Sequence, residues 1–273
     1  MAASTPEALR DVKALTFDVF GTTVNWRLTV HEELTRRARD KIGSPGFASL
    51  PEAAQKQLKA MTDNDDWATF AQEWRDSYYQ FTRSFEPGKS EWKDIDTHHY
   101  EALLELLRKW GLDGVFADAE AHELSLIWHR LQPWEDSAAG IRRLGTRLVT
   151  STLSNGNQSL LRDLNALGGG LGFRKIQSTA DFGAYKPHPS TYLGAVGALA
   201  LRPHEVAMVA AHLGDLEAAR ANGLRTIYVE RPQEEAWGPD EERYKRAREW
   251  VDLWIGEGEG GFVEVAKRLG IPE

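Results

Sequence analysis

The sequence predicts an α/β fold, a Rossmann-like parallel sheet core carrying an inserted helical cap domain. Two observations predict it. Short apolar runs at 14–20, 147–153, 175–178, 206–210 and 226–229 are each followed by a Gly- or Ser-containing turn and a helical pattern. Parallel strands need such crossovers, so the alternation reads as one parallel sheet. The second observation is the long stretch between the first two runs, which has several helical patterns and no convincing strand. The division that follows is a discontinuous core, 1–25 with 134–273, and a cap over 26–133.

Taken in order, the first run ends on the acid Asp18, with Phe20, Gly21 and Thr22 behind it. An acid here is either a turn former or a nucleophile presented to a cleft. Gly21 permits a tight turn, and Thr22 can hydrogen-bond the carboxylate or a substrate anion. In the insert, WATFAQEWRDSYYQFTRSF carries aromatics at three- and four-residue spacing, and HYEALLELLRKWGL is an amphipathic helix stopped at Gly111. Trp67, Phe70, Trp74 and Tyr78 read as core, although some of them can face a ligand. SFEPGKSEW between these helices is a turn, since Pro87-Gly88 breaks both periods.

After the return segment LQPWEDSAAGIRRLG, the second run leads into TSTLSNGN. There Ser154 and Asn155 can form an anion site at a helix start, and N-capping explains Ser154 equally well. In AYKPHPSTY, Pro187 and Pro189 keep the loop around Lys186 stiff and out of a helix, so that Lys186 can keep Asp18 ionised. VAMVAAHLGDLEAARANG is an apolar strand followed by His212, with Asp215 opening a helix. Asp215 can be a simple N-cap, and His212 a buried, satisfied imidazole. Towards the end, WVDLWI is strand-like and a final helix follows.

Composition bounds the function. The chain has 273 residues, 41% of them hydrophobic, which suffices for a sizeable core. It has no cysteine, which removes thiolate nucleophiles, disulfides and Cys-ligated zinc. A formal charge of -8 without a basic stripe argues against a nucleic-acid partner. No run approaches a membrane span and no signal peptide opens the chain, so it reads as cytoplasmic, with no membrane partner. Attraction of an anionic ligand must then come from a few local cations or helix N-termini.

Four stretches in this order, FDVFGT with TVNWR, SNGN, YKPHPSTY and VAAHLGDLEAARANGL, resemble the motifs of the haloacid dehalogenase superfamily, and more narrowly the type II L-2-haloacid dehalogenases. The resemblance covers about residues 12 to 235. It implies that Asp18 is the nucleophile, with Thr22 as its hydrogen-bonding neighbour. Ser154 and Asn155 would hold the substrate carboxylate and the halide, Lys186 would position the nucleophile, and Tyr192 would lie nearby. From the cap, QEWRDSYYQF makes Arg75 the candidate for gripping the leaving halide. Asp215 would sit near the hydrolytic water, and His212 would help align or activate it. The chain departs from some members in carrying Ala210 and His212 where they have a Ser and an Asn.

The implied activity is hydrolytic dehalogenation of short 2-haloalkanoic acids to 2-hydroxy acids through an aspartyl ester, without metal or cofactor. A homodimer is compatible with it. The alternatives are a phosphatase of the same superfamily and a non-catalytic binding protein on this scaffold. A phosphatase needs a proton donor two residues after its nucleophile, because an alkoxide leaves poorly. Here that position is Phe20. A phosphatase of that superfamily would also bind magnesium through hard oxygen ligands, and one acidic position of the fourth motif falls here on Ala211.

Overall fold

A computed structural model describes residues 5–272. The chain divides into two compact units, one of residues 1–25 with 132–273 and one spanning Trp26–Leu131. The first holds a five-stranded parallel sheet in the order β2-β1-β3-β4-β5, with β1 Ala14–Phe17, β2 Val149–Thr152, β3 Val206–Ala210, β4 Arg225–Val229 and β5 Leu253–Ile255. The second holds helices α1 Trp26–Ile42, α2 Glu52–Asp63, α3 Trp67–Ser84, α4 Ile95–Lys109 and α5 Asp118–Ser125. Helices of the sheet unit are α6 Ser137–Leu144, α7 Gln158–Ala166, α8 Pro189–Ala198, α9 Leu213–Ala221, α10 Glu242–Trp250 and α11 Gly261–Arg268.

Both sheet faces are covered, which is why the central strands are apolar on alternate residues in both directions. Leu15, Phe17, Ala207, Val209, Ile227 and Val229 point into one core with Ile141 and Leu144 of α6 and Phe262 and Val265 of α11. Ala14, Val206, Met208, Ala210 and Tyr228 point into the other, with Tyr192, Leu213 and Leu216 of α8 and α9. Phe17 meets Phe173 and Phe262 edge-on at 5.3 and 5.1 Å. Complete burial of such a ring contributes about 1.5–3 kcal/mol.

The run at 175–178 is not a strand of this sheet. It touches β2 through two isolated bridges, Ser151 to Lys175 and Ser154 to Ser178. Between them the Thr152 side chain replaces the ladder, its hydroxyl donating to Gln177 O at 3.0 Å and accepting from Gln177 N at 2.9 Å. The fifth strand is instead Leu253–Ile255, inside WVDLWI. The first strand also stops earlier, at Phe17, because from Val19 the backbone folds on itself: Thr23 N and Val24 N both donate to Val19 O.

In the helical unit α3 buries its aromatic stripe, with Trp67, Phe70 and Trp74 at 0% exposure and Tyr78 at 4%. Trp74 meets Trp128 edge-on at 5.4 Å, and Trp128 stacks on His99 at 4.3 Å. The side chain of Asp94 caps α4 by accepting from Thr97 N, and the helix ends just before Gly111, whose φ of +70° few other residues adopt. No helix among the described residues is long and apolar enough to cross a membrane.

Candidate active site

The strand order reverses between β1 and β3, where ligands of open parallel sheets bind beyond the strand ends. Asp18 stands directly after β1 and is held in register by its N–H on Val209 O at 3.0 Å. Its carboxylate is 7% exposed and surrounded by donors. Lys186 Nζ donates to Oδ1 at 2.8 Å and Thr22 Oγ1 to Oδ2 at 2.7 Å, while His212 Nδ1 lies 3.2 Å from Oδ2. Each carboxylate oxygen can accept two donors, so Oδ1, with one, keeps a lone pair for attack.

Lys186 ties this acid to a second one. Its ammonium also donates to Asp215 Oδ2 at 2.6 Å, and the Tyr192 hydroxyl donates to Asp215 Oδ1 at 2.6 Å. Burial alone raises the Asp18 carboxyl, but Lys186 and His212 outweigh it and hold it well below the usual carboxylate range. Burial alone lowers Lys186, yet the two carboxylates raise it above the usual lysine range. Burial, with Asp215 adding to it, pushes the Tyr192 hydroxyl well up, so it stays a neutral donor. This geometry favours the ionised carboxylate on Asp18 and the charged ammonium on Lys186.

The remaining predicted residues of the sheet unit fall around this centre. Thr22 Oγ1 also accepts from Ala211 N at 2.9 Å, which links the ends of β1 and β3. Asn155 Oδ1 accepts from Lys186 N at 2.8 Å and from Thr179 Oγ1 at 3.1 Å, so its amide shapes the lysine loop. Ser154 is fully buried and its Oγ accepts from Gly156 N at 3.3 Å, a local bond at the turn before α7. Arg75 belongs to the helical unit. It is 3% exposed there, its guanidinium 4.4 and 4.5 Å from the rings of Tyr78 and Tyr79, and it donates to Tyr79 Oη at 3.1 Å.

Residues that the sequence did not single out complete the centre, and three come from the loop after β4. Glu234 Oε2 lies 3.2 Å from His212 Nε2, so the imidazole stands between two carboxylates. A Cβ on Gly21 would sit 2.0 Å from Glu234 Oε2, and Gly21 has a φ of +82°; only glycine fits both demands. Glu235 accepts from Leu213 N at 2.6 Å, capping α9 from outside the helix, and burial raises its carboxyl. Arg231 Nε donates to Thr22 O at 3.0 Å. The pattern RPQEEAW shows only charge beside a turn, and nothing in it signals an approach to β1.

The donor set does not suit a hard divalent cation. The two carboxylates that face each other, Asp18 and Asp215, already share one ammonium. Ala211, directly after β3, offers no carboxylate to add to them. Among the described residues, no group of three or more His, Asp or Glu is arranged to hold a metal ion.

Comparison with known proteins gives concordant results. A family model described as haloacid dehalogenase-like hydrolase matches residues 12–223. No curated protein sequence matches the chain. Among solved structures, the defluorinating L-2-haloacid dehalogenase Rha0230 is similar at 30% identity and a TM-score of 0.79, over 98% of this chain and 99% of that one. The L-2-haloacid dehalogenase PA0810 is similar at 32% identity and a TM-score of 0.75, over 94% and 99%. The L-2-haloacid dehalogenase from Xanthobacter autotrophicus shares the fold at 21% identity and a TM-score of 0.69, over 94% and 97%.

Proposed function

We propose a specific chemistry for this chain, which belongs to the haloacid dehalogenase-like hydrolases: it displaces halide from C2 of a short 2-haloalkanoic acid and yields the 2-hydroxy acid. The observation that carries the reading is Asp18 held ionised by Lys186 with the apolar ring of Phe20 two residues on, buried and unable to donate a proton. A halide leaves as a stable anion and needs no proton, whereas a phosphate ester's alkoxide does. The two similar structures at or above 30% identity, both named L-2-haloacid dehalogenases, support the same choice.

In the first step Asp18 Oδ1 attacks C2, the carbon–halogen bond breaks, and the electron pair departs with the halide. Arg75 and Asn155 are the proposed halide and carboxylate contacts, with Thr22 steadying the other oxygen of the nucleophile. In the second step water attacks Asp18 Cγ, the Cγ–Oδ1 bond breaks while the C2–O bond survives, and the departing alkoxide of the 2-hydroxy acid receives the water's proton by way of His212. Once Asp18 is a neutral ester it no longer holds the proton on His212 Nδ1; that proton passes to solvent, and Nδ1, facing the reacting carboxyl, then takes the proton of the water. Nε2 donates to Glu234, which fixes the tautomer and stabilises the imidazolium. Asp215, with one oxygen on Lys186 and the other on Tyr192, acts by holding the lysine that orients Asp18.

Halide release from both enantiomers of 2-chloropropionate and from fluoroacetate, run beside a general phosphatase substrate with and without chelator, tests the reaction class. Halide from a 2-haloacid, insensitive to chelator, is the expected result; phosphate release without halide overturns it. The second step has its own signature. His212→Ala is expected to release about one halide per enzyme in a burst and then stall, and Glu234→Gln to slow the steady state about 10²-fold with the burst intact. Intact-protein mass then shows the ester accumulating, and a His212→Ala enzyme with undiminished steady turnover would take His212 out of the mechanism.

A further inference from the structure

Three successive backbone carbonyls behind the nucleophile are each held by a side-chain donor. Trp134 Nε1 donates to Gly21 O at 2.8 Å, Arg231 Nε to Thr22 O at 3.0 Å, and Ser137 Oγ to Thr23 O at 2.7 Å. Two of these donors lie where the chain re-enters the sheet unit, and that return segment pairs with the outgoing one. Asn25 N donates to Gln132 O at 2.8 Å, Val24 bridges Pro133 in antiparallel sense, and Trp134 N donates to Thr23 O at 3.2 Å.

Arg231 is the member whose own position is most completely determined. It is 8% exposed, and its two terminal nitrogens make a bidentate pair with Asp136, Nη1 to Oδ1 at 2.6 Å and Nη2 to Oδ2 at 2.8 Å. The guanidinium lies 5.3 Å from the ring of Trp134 and 4.9 Å from that of Phe262. Asp136 Oδ2 accepts in addition from Phe262 N at 2.7 Å, and a Cβ on Gly261 would sit 2.1 Å from that oxygen. A planar fork fixed on a carboxylate leaves Nε–H aimed in one direction only, and that direction is the Thr22 carbonyl.

Thr22 is also the residue whose hydroxyl touches Asp18 Oδ2. A rotation of the Thr22 peptide would swing that hydroxyl off the carboxylate. We propose that Arg231, clamped by Asp136, is a positioning residue that holds Thr22 and through it the attacking orientation of Asp18. This deepens the dehalogenase reading and rests on Asp18 being the nucleophile. Arg231 touches no reacting atom, and lysine cannot replace it, because one ammonium cannot both grip Asp136 in two places and reach Thr22 O.

The test measures single-turnover halide release from 2-chloropropionate for wild type, Arg231→Met, Arg231→Lys, Asp136→Asn and Thr22→Val, with Arg231→Met repeated in the Thr22→Val background. Arg231→Met is expected to slow the first step about 10- to 100-fold with KM changed less than about threefold, Arg231→Lys and Asp136→Asn falling between it and wild type. In the Thr22→Val background the same change is expected to cost less than about twofold, because both substitutions break one chain of contacts. Losses that multiply, or a melting temperature that falls while the first step keeps its rate, overturn the proposal.

A crystal structure of Arg231→Lys, or of Asp136→Asn if the arginine variants fail to fold, supplies a readout without substrate. Displacement of Thr22 Oγ1 from its 2.7 Å contact with Asp18 Oδ2 is expected, and an undisturbed contact overturns the positioning role. If wild type releases no halide, the dehalogenase reading falls, and the crystallographic arm still decides the clamp.

Discussion

Asp18→Asn is expected to abolish halide release, by about 10⁴-fold or more, with little loss of folded structure. The amide has the shape of the carboxylate and can turn its oxygen to Lys186 Nζ and its NH₂ to the Thr22 hydroxyl, which can accept, but its nitrogen pair is delocalised and its oxygen uncharged, so it attacks C2 poorly. Lys186 remains paired with Asp215 at 2.6 Å, so the substitution does not strand a buried cation. The measurement is halide release beside a thermal melt, so that lost chemistry is separated from lost fold. A second measurement locates the bond. In a single turnover in ¹⁸O water, the label is expected in the Asp18 carboxyl and not in the 2-hydroxy acid, because the product oxygen comes from the enzyme. Label in the first product molecule means direct attack of water on C2 and removes the ester from the reaction.

Much of the sheet unit was legible in the sequence because its physics is local. Apolar runs with a turn and a helix behind them give parallel strands, and the polar residue just past each strand end gives the place where chemistry gathers. Asp18, Thr22, His212 and Asp215 follow from this rule, Lys186 from its stiff loop and Tyr192 from the family resemblance, and all six are joined by direct contacts. The run at 175–178 misled because apolar periodicity cannot register that a Thr152 hydroxyl has taken over the ladder. WVDLWI, a pattern shared between a charged helix and a three-residue strand, carries too few alternations to be placed with precision.

The loop after β4 was illegible for a different reason. Arg231, Glu234 and Glu235 act 209, 22 and 22 residues away from themselves in the chain, on Thr22, His212 and Leu213. Nothing in RPQEEAW distinguishes these charges from a solvated turn, since their partners are chosen by the sheet order that puts β4 beside β3. The one local trace is Gly21. A glycine with positive φ reads as a turn former, but its second reason for being glycine is the approach of Glu234, which only the folded chain reveals.

Lys186→Met is the second large effect, and its stability profile is as informative as its activity. In the wild-type protein both partners shift toward charge. Asp18 is held below the ordinary carboxyl value, so its contribution is present above the unfolded value of about 4 and fades as pH falls towards the folded one. Lys186 is held above the ordinary lysine value, so its contribution is present below about 10.4 and fades as pH rises through the folded value. Between those limits the stability from this pair does not change with pH.

Removing the ammonium leaves Asp18 and Asp215, the two acids that shared it, each with a side chain 10% exposed, with no cation between them. Burial, the largest influence on Asp18, is then opposed only by His212 and the Thr22 hydroxyl, and the carboxyl is expected to rise above its unfolded value. The sign reverses: the folded state now binds protons more tightly than the unfolded one, and stability falls as pH rises from about 4 to 7. The loss at pH 7 is expected to be about 3–5 kcal/mol, the size found when one partner of a buried pair is removed. Halide release is expected to fall about 10³-fold, since the nucleophile is then partly protonated and no longer oriented. Melting temperatures from pH 4 to 8 check this directly, with the variant gaining on wild type as pH drops. A constant gap across that range would mean that Lys186 packs against the carboxylates without governing their ionisation.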